Sequence, residues 1–281
     1  MIADPLEGTS TPDDRILPVS RILAAVVIVI LAVAWVTLFL HPDQTDHRFA
    51  WTIASTMTAM LMGAGYGSAA YFYARLLVGQ RWHHFGLGLL PTTLFTWLLL
   101  AATLLHWDLF HHGTFPFLLW LWVYLLTPIA VPAVWLVNRR RDPRRPEAGD
   151  RPYPAWLRAA MIAAGSIMCA IAVWMFAWPQ SAIGVWPWAL TPLTARTVAA
   201  FVALPAVAWI AIATDGRWSA AKRMLETIAV GLVLLLIAVA RAWSQFDHGS
   251  PLTYAYVGGL VGTLGAIAIL YGWMQRRSVQ A

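Results

Sequence analysis

Charge is what this chain has least of. Only 11% of its 281 residues are Asp, Glu, Lys or Arg, against about 25% in an ordinary soluble domain. So few charges cannot cover a surface that faces water, which excludes a standard soluble globule. Cysteine is nearly missing too. The single Cys169 lies in an apolar run and excludes an intramolecular disulfide or a thiolate cluster. No DDxxD-type motif of membrane prenyltransferases is present, and no pair of carboxylates falls inside an apolar run. There is no His-Glu-x-x-His and no nucleophile with a base at a recognised spacing. Gly63, Gly65 and Gly67 follow no strand, so they are not a nucleotide loop. Together these absences make an enzyme the less favoured class.

What the chain has is apolar length. Hydrophobic residues make up 60%, and 17 are Trp, a residue that collects at membrane interfaces. Eight apolar segments stand out, at about 20–40, 50–74, 84–106, 115–137, 156–177, 190–213, 223–243 and 254–274. Each is near the ~20 residues that a helix needs to cross a hydrocarbon core of ~30 Å. Strands with open edges cannot sit in lipid, so the segments are predicted helices. The first runs from Ile22 to Leu40, long for a signal-peptide core, and is read as a retained span. Gly63 and Gly67, like Gly258 and Gly262, have the small-xxx-small spacing that predicts close helix packing.

The halves of the chain repeat one another. Shifted by 137, Arg21 falls on Arg158, Phe39 on Phe176, Pro42 on Pro179 and Trp51 on Trp188. Shifted by 136, Arg81-Trp82 falls on Arg217-Trp218, Trp107 on Trp243, Phe110 on Phe246 and His112-Gly113 on His248-Gly249. The expected fold is therefore an all-α integral membrane protein of eight transmembrane helices, arranged as two four-helix repeats. Residues 1–138 form the first unit, 139–155 a basic linker and 156–281 the second unit. Four helices is an even number, so both copies enter the membrane the same way, as parallel repeats.

Basic residues set the orientation. The loop after the fourth segment carries Arg139, Arg140, Arg141, Arg144, Arg145 and Arg151. Arg75, Arg81, Arg217, Lys222, Arg223, Arg276 and Arg277 fall on the same side, while the opposite loops hold only Arg48. The positive-inside rule then places both termini in the cytoplasm and the protein in the plasma (inner) membrane. The net charge of +6 becomes a topology signal and an attraction to anionic lipid, with no nucleic-acid partner implied.

Candidate chemistry gathers on the outer side. Six of the eight histidines lie there, and one turn is repeated: Trp107-Asp-Leu-Phe-His-His-Gly113 and Trp243-Ser-Gln-Phe-Asp-His-Gly249. His106, His111, His112 and His248 are candidate metal ligands, since imidazole with carboxylate suits zinc, copper or iron. The alternative is structural, with Phe110 and Phe246 anchoring the turn. Arg196 and Arg241 are out of place within spans, and their repeat partners Ala59 and Leu105 are uncharged. An ionisable residue inside a span is a functional candidate. Together with Asp108 and Asp247 as counter-ions, these arginines could bind an anionic ligand; alternatively, they snorkel to the interface. His83 and His84 read as interfacial residues, and no cofactor is specified.

Two resemblances follow. The layout of two fused four-helix bundles resembles that of haem A synthases, which implies haem held by histidine pairs inside helices. The second half here has no histidine within a segment, so those ligands are not carried over. Pro187-Trp-Ala-Leu-Thr-Pro-Leu-Thr-Ala-Arg196 resembles a segment of uncharacterised bacterial membrane proteins, which implies a bacterial membrane setting and no activity. Three expectations result: transport or binding of an anionic or amphipathic small molecule or lipid, a structural or assembly subunit, and an outer-face metalloprotein or haem-type enzyme.

Overall fold

A computed structural model describes residues 13–279, and the outermost ends of the chain lie outside the described residues. Eight long helices account for most of it: α1 (Pro18–Trp35), α2 (Thr56–Val78), α3 (Leu89–Leu105), α4 (Phe115–Asn138), α5 (Ala155–Ala177), α6 (Pro192–Asp215), α7 (Trp218–Arg241) and α8 (Pro251–Val279). Seven are long and apolar enough to cross a membrane, which makes this an all-helical protein of multi-pass membrane type. The eighth, α2, has the length but fewer apolar residues. It carries Gly63, Gly65, Gly67, Ser68 and three tyrosines, and twelve of its 23 residues are buried. A helix enclosed by protein has no need of a lipid-facing surface, so its composition is freed from that demand.

Burial sorts the helices into an inner and an outer set. In the apolar stretch of α6, 61% is buried, against 17% in α1 and in α8. Large exposed apolar side chains such as Val29, Ile129, Ile167 and Ile269 sit on α1, α4, α5 and α8. The outer helices each lean on an inner one: α1 on α2, α4 on α3, α5 on α6 and α8 on α7. Between the inner helices the pairing crosses the halves, with α2 packed on α7 and α3 on α6. The largest apolar core accordingly mixes the halves, with Met60, Tyr66 and Leu99 from one and Val198, Phe201 and Val239 from the other. The chain halves share this largest core, with a smaller cluster belonging to each half beside it, and so do not form two separate bundles.

Some helix boundaries differ from the apolar runs. α2 starts at Thr56, with Ser55 as its N-cap accepting from the Thr58 N–H, because Phe49, Ala50 and Trp51 fold instead into an aromatic cluster. α7 starts five residues before its apolar run, and that first turn holds Ser219 and Lys222. A polar first turn is helical by hydrogen bonding and invisible to hydropathy. The expected close packing at glycines is half right. A Cβ on Gly63 would lie 2.8 Å from Phe39, and one on Gly67 would be 2.6 Å from Trp35, whereas Gly258 and Gly262 have nothing within 4 Å.

The loops collect at two ends. One end joins residues 13–17, the turn 79–88, the linker 139–154 and the turn at Arg217; we call it the basic face. The other joins the four remaining connections. Pairs of matching contacts tie both ends. His111 N–H donates to Ala50 O at 2.9 Å, and Asp247 N–H to Pro187 O at 2.8 Å. Trp51 meets Phe110 at 5.1 Å between centroids, and Trp188 meets Phe246 at 5.2 Å. At the basic face, Arg21 donates to Leu77 O and Gly79 O, and Arg158 to Ala213 O.

Candidate functional site

The outer-side candidates separate in space. Arg196 donates from Nε to Phe176 O at 3.0 Å and from Nη1 to His106 Nε2 at 2.6 Å. Arg241 donates to Phe39 O at 2.5 Å and sits over the Phe39 ring. Each guanidinium thus caps a carbonyl end, Arg196 that of α5 and Arg241 that of the π-helical turn Val36–Leu40 that continues α1, where the macrodipole is negative. Neither makes an ion pair with Asp108 or Asp247 among the described residues. Asp247 Oδ1 instead accepts from Gly249 N–H at 2.9 Å. Burial and the charge of Arg196 lower the His106 pKa, which keeps Nε2 an acceptor for that arginine.

The other candidate ligands are also committed. His111 uses Nδ1 on Phe49 O at 3.2 Å and Nε2 on Thr52 Oγ1 at 3.1 Å. His112 contacts Trp107 O at 3.0 Å and His248 contacts Trp243 O at 3.1 Å, each ring tilted against that tryptophan with centroids 4.9 Å apart. The four histidines hold four separate points of the loops, and the structure does not bring them together as a metal centre. The Pro187–Arg196 segment is likewise architectural. Trp188 is buried and donates to Thr58 Oγ1 at 2.9 Å, and Thr191 with Thr194 forms a capping box for α6.

The convergence of polar groups lies at the basic face. The short turn Trp82–His84 leads into α3 and is roofed by the linker. His83 is 2% exposed. Its Nδ1 is 2.5 Å from Asp14 Oδ2, and its backbone N–H donates to Asp14 Oδ1 at 3.1 Å. Its Nε2 lies 3.2 Å from Ser219 Oγ and 3.4 Å from Glu147 Oε1. His84 Nε2 is 3.1 Å from that same Glu147 oxygen, which also accepts from Arg81. Ser219 is held by Asp150, through its N–H at 2.9 Å and its hydroxyl at 2.6 Å. Burial alone would raise the Glu147 pKa, but His84, Arg81 and His83 hold it below its ordinary value. Burial, then His83, lowers the His84 pKa.

The order Asp14–His83–Ser219 is that of a carboxylate–imidazole–hydroxyl relay, an arrangement that sequence spacing did not reveal. Its hydroxyl already donates to Asp150, and Ser219 lines neither of the clefts beside it. Beside it Arg217 makes paired bonds to Asp142, at 2.7 and 2.8 Å, and to Asp215, at 2.8 and 2.7 Å. Burial works against the charged guanidinium, yet these two carboxylates raise its pKa.

Two clefts open at this face. One, about 430 Å³, lies between residues 13–15, Gln80 and Arg145. The second, about 360 Å³, has an apolar wall of Leu87, Leu90 and Trp135 and a rim carrying Arg139 and Arg144, and is also lined by Asp142 and Asp215, both paired with Arg217. Arg139 lies over the Trp135 ring at 4.4 Å. Neither cleft is lined by Arg196 or Arg241. The groups that matter here escaped sequence reading because they are far apart in the chain, with a separation of 69 positions from Asp14 to His83 and of 136 from His83 to Ser219. The usable signal was the Arg-Trp dipeptide before both His83 and Ser219, which marks matching turns. The chain matches no protein-family model, no curated protein and no solved structure.

Proposed function

We propose that this protein binds an anionic amphiphile, a lipid or lipid-like molecule with a phosphate or carboxylate head, at the second cleft of its basic face. The observation that supports it is the lining. Leu87, Leu90 and Trp135 offer apolar surface at the membrane end, and Arg139 and Arg144 offer cations at the water end. A volume of about 360 Å³ lies within the ~300–1,000 Å³ of ligand pockets, and guanidinium suits bidentate capture of such heads. In this reading the chain crosses a bacterial plasma membrane eight times as two parallel four-helix repeats, with both termini and the basic face in the cytoplasm. The matching contacts at both ends support the repeat, and the inner leaflet is where anionic lipid attracts basic segments.

The reading is tested by native mass spectrometry of protein taken from bilayers mixing phosphatidylcholine with phosphatidylglycerol. Wild type retains the anionic lipid preferentially, and the Arg139→Ala/Arg144→Ala variant loses that preference. Equal retention of both lipids by wild type sinks it.

A second reading, a structural or assembly subunit, draws on the packed centre. Tyr66 and Tyr124 hydroxyls bond at 2.8 Å, and the Phe201 ring fills the space beside Gly65. A constant membrane partner recovered by pull-down, together with no lipid preference, is the outcome that selects it.

A further inference from the structure

His83, His84 and Glu147 form the one trio of histidine, cysteine or acidic side chains among the described residues whose ligand atoms lie mutually within 4.8 Å. The separations fit a metal. Ligand atoms at ~2.0–2.1 Å from a tetrahedral ion lie about 3.3–3.4 Å apart. Here Glu147 Oε1 is 3.1 Å from His84 Nε2 and 3.4 Å from His83 Nε2.

The surroundings of His83 fit as well. Asp14 Oδ2 accepts a hydrogen bond from Nδ1–H, the carboxylate–histidine support that fixes a ligating ring with its other nitrogen free. The Ser219 hydroxyl spends its only hydrogen on Asp150. His83 Nε2 therefore faces oxygen lone pairs on two sides, from Ser219 and Glu147, and a cation between them satisfies all three. Glu147 Oε1 faces both imidazole nitrogens and also accepts from Arg81, so an ion bound there would displace Arg81 from that oxygen. The donor set of two imidazoles and one carboxylate is one that zinc takes, with a fourth position left for water.

We propose that His83, His84 and Glu147 bind one zinc-type divalent ion, which rivets the linker 139–154 between the chain halves onto the turn before α3. The site adjoins the lipid cleft, which His83 also lines, but Arg139 and Arg144 are not part of it, so the two readings fail separately.

The test is zinc titration of the purified full-length chain, with cobalt absorption to report the ligand field. The expected result is one ion per chain, with tetrahedral cobalt bands. Glu147→Gln and His84→Ala each abolish it, while Asp14→Asn weakens it by roughly 10–100-fold. A variant with His106, His111, His112 and His248 all changed to Ala binds as wild type does, which excludes the opposite face as the source. Zinc also slows trypsin cleavage after Arg144 in wild type. That readout needs no variant, so a variant that fails to fold leaves the proposal open to refutation. No bound ion in wild type, equal binding by a folded Glu147→Gln chain, or no protection of the linker overturns it.

Discussion

Asn138 shows how much one buried polar residue can join. It is fully buried, accepts from Leu17 N–H at 2.9 Å and Ser20 Oγ at 2.7 Å, and donates to Arg15 O. It thereby satisfies backbone groups at the start of α1 from the end of α4. Asn138→Ala leaves those groups without partners, and a loss of about 1–3 kcal/mol is expected in thermal unfolding of the detergent-solubilised protein. The arginines give a contrasting expectation. Because Arg196 and Arg241 are occupied with Phe176 and Phe39 carbonyls, Arg196→Gln and Arg241→Gln lower thermal stability yet leave anionic-lipid retention in native mass spectrometry unchanged. At this scale the sequence signalled that both arginines are unusual. It did not reveal their partners, since a backbone carbonyl carries no signature in the sequence.

Among the elements, glycines separate packed helix faces from open ones. A Cβ on Gly165 would sit 2.7 Å from Ala206 O, part of the backbone of α6, which cannot swing aside. Gly165→Ala is expected to cost about 1–3 kcal/mol by forcing α5 away from α6. Gly258→Ala on α8 meets open space and is expected to be neutral or slightly stabilising, because Ala favours a helix by up to about 1 kcal/mol. Paired melting curves check both. The linker is the element most sensitive to acid. Around its contact stand Asp14, Arg81, His83, His84, Glu147 and Asp150. His84 has a folded pKa below its ordinary 6.5, so the folded state resists a proton that the unfolded state accepts. Stability therefore falls as pH drops below about 6.5. Glu147 is also lowered, from 4.5, so its contribution is present above that value and is lost as pH falls through it. Both shifts have the same sign. Hydrogen exchange in the presence of a chelator should show the linker opening in two steps as pH falls from 7 to 4, one below about 6.5 that Glu147→Gln keeps and one below about 4.5 that Glu147→Gln lacks. An unchanged linker over that range contradicts this account.

For the whole molecule, the count of crossings decides the topology. Eight helices are long, and seven carry enough apolar surface to be recognised by composition alone. If α2 crosses, both ends of the chain lie on one side. In a Cys169→Ser background, single cysteines placed at Asp13, Gln80, Ala148 and Gln275 should then all resist a membrane-impermeant thiol reagent in intact cells, while one at Gly113 reacts. Opposite labelling of Asp13 and Gln80 would show that α2 does not span. The lengths and approximate positions of the helices were legible in the sequence, because a hydrocarbon solvent forces long uncharged runs and leaves charge only in loops. The aromatic and glycine positions of the matching turns were legible too, since such residues act locally. The tertiary structure alone decided which helices touch. It crossed α2 with α7 and α3 with α6, dispersed the outer histidines onto separate loop contacts, and gathered Asp14, His83, His84, Glu147, Asp150 and Ser219 at one point. The physical reason is the range of the forces. Partition into lipid acts on each segment by itself, whereas hydrogen bonds and packing act over a few ångströms between residues that the chain keeps far apart.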